Sequence, residues 1–226
     1  MQITEIFRSI QGESSFAGLP CIFVRLTGCN LRCSWCDTEY SFTGGHRMSL
    51  DQVMDEVERF APVKLVEITG GEPMLQEKQV IPLMRRLLAS GYQVLLETSG
   101  ERPLAEVPGE VIKIVDVKCP GSGESGSFDL DNLPALTPRD EVKFVLSHRQ
   151  DYEFACDFVR EHGLEKLAGN VIFSPAFRQD AEGTRDSSNC LLDPRRLADW
   201  ILEDGLPVRL GLQIHKFIWQ PETKGV

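Results

Sequence analysis

Three of the seven cysteines fall within eight residues, in the segment Thr27-Gly28-Cys29-Asn30-Leu31-Arg32-Cys33-Ser34-Trp35-Cys36-Asp37-Thr38. The C-x3-C-x2-C spacing gathers three thiolates in one tight loop. An ordinary iron–sulfur cubane takes four cysteines. Three therefore leave one iron with an open position, as a catalytic zinc keeps one position for its substrate. The same thiols also suit a tetrahedral zinc site completed by His46 or Cys21, and chance burial of small apolar thiols is a third reading. Trp35 beside the third cysteine suits a shielded cluster, a stacking face or ordinary core packing. Cys21, Cys119, Cys156 and Cys190 are scattered and read as buried, inert thiols. Seven is an odd number and no secretion signal precedes it, which argues against a disulfide framework.

The loop follows a β-branched run, Cys21–Thr27, so it lies at a strand's carboxyl end, where α/β proteins keep their chemistry. Further strands are expected at Lys64–Thr69, Tyr92–Thr98, Val111–Val117, Glu141–Ser147, Asn170–Ser174 and Pro207–Ile214. Helices are expected at Ser49–Phe60, Glu77–Ser90, Asp151–His162 and Asp193–Asp204, with Ser49 and Asp193 as caps and Gly91 and Gly205 as stops. The alternation implies right-handed βαβ units. Residues 98–111 leave little room for a helix, and residues 117–141 form a loop rich in Gly, Ser and Pro. A complete eight-fold barrel needs about 250 residues, whereas this chain has 226. The expected fold is α/β: a partial, open (β/α) barrel of about six parallel strands with some helices missing, in one domain over residues 1–226.

A net charge of −10 without a basic run argues against nucleic acid as a partner. No apolar stretch reaches the roughly 18 residues of a membrane span. The start lacks the features of a signal peptide, and a cytoplasmic protein is expected.

A second motif, Gly70-Gly71-Glu72-Pro73, closes the strand after the cysteine loop. Glycine there permits close backbone approach. C-x3-C-x2-C with an aromatic before the last cysteine, followed by GGEP one strand later, resembles the radical S-adenosylmethionine superfamily. The resemblance implies a [4Fe–4S] cluster on Cys29, Cys33 and Cys36, with S-adenosylmethionine on its open iron. Trp35, Asp37 and Gly71 fall to that cofactor. Glu97 and Ser99 at one strand end suit its ribose, and Lys118 at the next suits its carboxylate.

Ile10-Gln11-Gly12-Glu13, Arg25, Cys36-Asp37-Thr38 and Leu212-Gln213-Ile214-His215-Lys216-Phe217 narrow the resemblance to the 7-carboxy-7-deazaguanine synthases, over about Ile6 to Pro221. Such enzymes convert 6-carboxy-5,6,7,8-tetrahydropterin to 7-carboxy-7-deazaguanine with loss of ammonia, on the route to queuosine. Gln11, Gly12 and Glu13 suit the donor–acceptor edge of a pterin, and Arg25 suits an anionic or stacked partner. Thr69 lies within reach of substrate, and His215 orients the pterin or packs beneath it. The hydroxyl matching Thr38 ligates Mg²⁺ in this family, which is chemically sufficient where substrate and water supply the other oxygens. Family members often end near the residue matching Pro221, whose terminal carboxylate reaches the substrate. Here Glu222-Thr223-Lys224-Gly225-Val226 follows, and a side chain or water is expected to replace that contact. The resemblance also implies a homodimer and a flavodoxin or ferredoxin as electron donor. An activating enzyme that installs a glycyl radical on a partner protein is the alternative.

Overall fold

The computed structural model describes residues 1–178, 187–219 and 223–225. Its strands are β1 (Gln2–Ile10), β2 (Pro20–Leu26), β3 (His46–Arg47), β4 (Leu65–Gly70), β5 (Gln93–Thr98), β6 (Ile112–Asp116), β7 (Glu141–Leu146), β8 (Asn170–Pro175) and β9 (Arg209–Leu210). The α-helices are α1 (Leu50–Glu58), α2 (Glu77–Ala89), α3 (Arg149–His162), α4 (Leu164–Leu167), α5 (Pro194–Asp204) and α6 (His215–Ile218). All nine strands form one sheet in the order β3-β1-β2-β4-β5-β6-β7-β8-β9. Neighbours from β2 to β9 are parallel, while β1 runs antiparallel to β2, and β3 to β1. This is the expected open, partial barrel, extended at one edge by an antiparallel hairpin.

The expected helices form, with local reasons in the sequence. Ser49 and Gln52 close a capping box at the start of α1. Asp193 accepts from the Arg195 N–H at 2.9 Å, and Gly205 stops α5 in the left-handed region at φ 58°. In α3 the helix starts two residues earlier than expected, because the His148 side chain takes the N-cap role. Residues 98–111 contain no helix, and residues 117–141 contain only short 3-10 turns.

Two strand expectations need correction. The sequence reading missed β1 altogether: only Ile3 and Phe7 are buried along it, and its register is interrupted between Ile3 and Glu5, so it shows no clean two-residue period. Conversely, the strand expected at Pro207–Ile214 is confined to Arg209–Leu210. Beyond Gly211 the chain leaves β8, and the Ile214 N–H donates to the Gly12 carbonyl at 2.9 Å. That contact bridges the two ends of the open sheet.

The two faces of the sheet differ. Outward residues such as Val66, Ile68, Val94 and Leu96 pack under Val53, Met54, Leu83, Met84 and Leu87 of α1 and α2. Each fully buried aliphatic side chain of this kind contributes about 1.5–3 kcal/mol relative to exposure. The inner face is apolar only at its lower level, where Phe7, Cys21, Phe23, Leu65, Leu95, Ile112 and Ile114 cluster. One step further along each strand the inward positions become Arg25, Glu67, Glu97, Asp116 and Lys143. The period-two alternation of the strands thus stacks a charged layer directly on an apolar plug.

Candidate active site

Inside the barrel lies a cavity of about 220 Å³, lined from above by the cysteine loop and from the sides by the charged layer. Every residue that the resemblance assigns to the cluster, the cofactor, Mg²⁺ or the substrate lines it, with Gln11, Gly12, Glu13, Arg25, Thr69 and His215 among them. Cys29, Cys33, Trp35, Cys36, Asp37, Thr38, Gly71, Glu97, Ser99 and Lys118 line it as well.

The cysteine loop is held by hydrogen bonds from two sides. The Glu72 N–H donates to the Gly28 carbonyl at 2.8 Å, and Gly71 N–H to the Leu26 carbonyl at 3.3 Å. A Cβ on Gly71 would collide with the Gly28 carbonyl and with Cys29, so the close approach of the two motifs requires glycine. On the other side the Ser34 N–H donates to the Ser122 carbonyl at 2.9 Å, and the Ser34 hydroxyl to the Gly121 carbonyl at 2.9 Å. The Gly/Ser/Pro-rich loop is therefore a support for the cysteines.

The three cysteines form no disulfide, are half-buried and line the cavity. Burial pushes the Cys33 thiol up to about 11, with Lys118 opposing. Among the described residues no three His, Cys, Asp or Glu side chains converge on a single-ion position. The fourth ligands considered for zinc do not join them: Cys21 lies in the apolar plug and His46 is exposed on β3, and neither lines the cavity, so the donor set fits a cluster on three thiolates better than zinc.

Glu72 faces inward but is fully engaged. Its carboxylate accepts from the Met74 N–H at 2.9 Å, the Thr98 hydroxyl at 2.8 Å, the Ser99 N–H at 2.8 Å and the Ser99 hydroxyl at 2.7 Å. It locks the ends of β4 and β5 together. The Ser99 hydroxyl, expected at the cofactor ribose, spends its proton on this lock. Thr38 caps a short 3-10 turn without a side-chain cap bond, its hydroxyl 3.7 Å from the Cys36 Sγ.

The opposite wall is a polar chain unforeseen from sequence. Lys143, 2% exposed, places its Nζ 2.6 Å from Glu13, 2.5 Å from Glu97 and 3.6 Å from Asp116. Burial opposes the charge on Lys143, and the three carboxylates overcome it, holding its proton well above the ordinary range. Burial alone would raise Glu13, but Lys143, with His215 and Lys216 behind it, brings it down to about 2. Gln213 Nε2 donates to the other Glu13 oxygen at 2.8 Å, Lys216 donates to Gln213 Oε1 at 3.0 Å, and Lys216 pairs with Asp37 at 2.6 Å. Burial pulls the His215 imidazole down toward its neutral form, with Lys216 adding to the effect and Glu13 opposing it. His215 packs so tightly on Gly12 that a Cβ there would strike its ring. Arg25 pairs with Glu5 at 2.9 Å, and its guanidinium lies 5.7 Å from the Phe7 ring centre.

Gln11–Glu13 reach the cavity by an unexpected route. Ile10 pairs with Pro20, at the amino end of β2. The loop therefore enters from the end opposite the cysteines, with the Ser15 N–H on Glu141 at 3.0 Å. Of the C-terminal extension, Pro221, Glu222 and Val226 lie outside the described residues. Thr223 lines the cavity, and Lys224 Nζ stands 4.7 Å from the Tyr40 ring centre.

The Radical SAM superfamily model matches residues 23–178. The 7-carboxy-7-deazaguanine synthase of Koribacter versatilis is 70% identical over 226 residues, all of both chains. That of Chlorobaculum tepidum is 43% identical, covering 100% of this chain and 97% of its own. The crystal structure of QueE from Escherichia coli superposes with a TM-score of 0.73 at 22% identity, over 93% of this chain and 92% of that one, which bears out the fold. A superfamily match spanning the cysteine loop and GGEP, joined to full-length relatives of one name, places the chain among the 7-carboxy-7-deazaguanine synthases of the radical S-adenosylmethionine superfamily.

Proposed function

We propose that the cavity divides into a cofactor half and a substrate half, with the chain acting as one domain over residues 1–226. The reaction it serves is the conversion of 6-carboxy-5,6,7,8-tetrahydropterin to 7-carboxy-7-deazaguanine with loss of ammonia, in queuosine biosynthesis. The observation that carries this reading is the placement of three thiols and the Glu13–Lys143–Glu97 group on one cavity.

In the cofactor half, Cys29, Cys33 and Cys36 hold the [4Fe–4S] cluster. Trp35, Asp37, Gly71, Ser99 and Lys118 surround S-adenosylmethionine, with the Lys118 ammonium available to its carboxylate although paired with Asp116 at 2.9 Å. When bound and reduced, this pair of cofactors supplies a 5′-deoxyadenosyl radical for hydrogen abstraction at C6 of the pterin. In the substrate half, Gln11, Gly12 and Glu13 take the ring edge, and Glu13, ionised and oriented from both oxygens, accepts ring N–H groups. Glu97 moves from the cofactor's ribose to this half, because its ion pair with Lys143 turns it toward Glu13. Arg25 and Thr69 face the plane and rim of the ring, and neutral His215 supports the loop at Gly12. Thr38, its hydroxyl uncommitted to a cap, would hold Mg²⁺, which would supply positive charge for the substrate carboxylate.

The remaining features follow from the family: a homodimer, a flavodoxin or ferredoxin as one-electron donor, and a cytoplasmic location. No described helix is long and apolar enough to cross a membrane. A glycyl-radical activating enzyme needs an open face for a polypeptide loop. The Gly12–Ile214 contact across the sheet opening disfavours it.

The test is anaerobic reconstitution with iron and sulfide, then incubation with reductant, S-adenosylmethionine, Mg²⁺ and carboxytetrahydropterin. Deazaguanine product without net consumption of S-adenosylmethionine is expected. Cleavage to 5′-deoxyadenosine without product would refute the substrate while keeping the superfamily chemistry.

A further inference from the structure

Glu67 sits in the middle of β4, where the surrounding strand reads Leu65-Val66-Glu67-Ile68-Thr69. It is 2% exposed, points into the cavity, and belongs to no motif recognised from sequence. We propose that the Glu67 carboxyl donates a hydrogen bond into the cavity, to the ring carbonyl oxygen of the bound pterin, and is thereby a specificity-determining residue for the proposed reaction. The inference rests on the substrate reading above and sharpens it.

The geometry begins with Gln11. Its Nε2 donates to Glu67 Oε2, and its Oε1 accepts from the Glu13 N–H at 3.0 Å. The amide is thereby locked, and so is the oxygen of Glu67 that it meets. Among the described residues the other carboxyl oxygen of Glu67 accepts no hydrogen bond, although the side chain lines the cavity. A buried carboxylate in that position would need a cation. The nearest one, Lys143, is already committed to Glu13, Glu97 and Asp116, while Lys118 serves Asp116.

The groups facing Glu67 from each neighbouring element point the same way. Glu97 from β5 and Glu13 from the loop after β1 repel its negative charge, Gln11 contributes only a neutral amide, and Lys143 from β7 attracts from behind its own partners. Cys21 from β2 stays a thiol, because burial pushes it far up. Burial first, and then Glu97 and Glu13, raise the Glu67 carboxyl well above the usual carboxylate range. Its proton has one place to go, the cavity.

The outcome is a matched pair of carboxyl groups. Glu13 is ionised and can only accept, whereas Glu67 is neutral and can donate. A 2-amino-4-oxopyrimidine ring presents N–H donors beside a carbonyl acceptor, so two unlike carboxyls read that edge where two like ones would not. A carboxylic acid kept neutral by its surroundings in order to donate a hydrogen bond is a known use of burial.

The experiment compares reconstituted wild type, Glu67→Gln and Glu67→Leu, with folding checked by thermal melts. It measures KM and kcat for carboxytetrahydropterin, the Kd for S-adenosylmethionine, and inhibition by the 4-amino analogue, which carries a donor where the substrate carries the carbonyl. Wild type should prefer the 4-oxo ring, and its KM should rise as pH is raised and Glu67 ionises. Glu67→Gln offers an amide donor in the same place, so its KM should lose that alkaline rise. Glu67→Leu should raise KM by about tenfold, the loss of one hydrogen bond, narrow the 4-oxo over 4-amino ratio by a similar factor, and leave the Kd for S-adenosylmethionine in place. An alkaline rise equal in Glu67→Gln and wild type, or an unaltered ring preference in Glu67→Leu, overturns the assignment. If wild type cleaves S-adenosylmethionine but neither binds nor converts the pterin, the substrate reading itself has failed and the role of Glu67 falls with it.

Discussion

The Lys216 ammonium lies 2.6 Å from the Asp37 carboxylate and joins the segment after β9 to the cysteine loop. Lys216 is buried while Asp37 keeps 30% of its side chain open, so the pair is worth less than a fully enclosed one. Lys216→Met should destabilise the apo chain by about 1–3 kcal/mol in urea unfolding. Adding Asp37→Asn should return part of that loss. Strict additivity of the two changes would show that the pair is not coupled.

Gly71 is the contact point between the cysteine loop and GGEP. Gly71→Ala should abolish retention of the full iron complement after reconstitution, since its Cβ collides with backbone that cannot yield. Gly109→Ala is the matched control, because a Cβ there meets nothing within 4 Å. Equal iron and sulfide content in the two variants would contradict the argument.

Glu13 makes the fold sensitive to acid. Its carboxyl titrates near about 2 in the folded chain against 4.5 normally, so the ionised form is stabilised by folding. That stabilisation is complete above about pH 4.5 and is lost as pH falls toward 2. It amounts to something on the order of 3 kcal/mol. The stability gap between wild type and Glu13→Gln should be full at neutral pH and close progressively below pH 4.5. A gap that persists into acid would assign the effect to packing.

Thr38→Ala should lower turnover and flatten its dependence on added Mg²⁺, with cluster content unchanged. An intact Mg²⁺ response in the variant would return Thr38 to a structural role in the turn it caps.

The fold was legible because its parallel strands are buried on both faces and read as short β-branched runs. The hairpin strand β1 escaped, since a bulged strand with two buried residues carries little period. The cysteine half of the site was legible because its geometry is local in sequence. Lys143 and Glu67 were not, although each leaves a trace: a charge in the interior of a strand, with an apolar residue on either side of it. The trace is ambiguous without structure. Lys113 in β6 leaves the same mark, yet it pairs with Asp140 at 2.9 Å away from the cavity. Only strand register tells which of the three faces inward.

The Gly12–Ile214 bridge has a consequence for synthesis. The cysteine loop leaves the ribosome before GGEP and before the 119–123 loop that supports it, and all three precede residues 213–216 in the chain. Gln213, His215 and Lys216 emerge much later than the cysteine loop, and until they dock, Glu13 lacks its contact with Gln213 and Asp37 lacks Lys216. The nascent enzyme thus acquires its place for iron before it acquires its place for substrate.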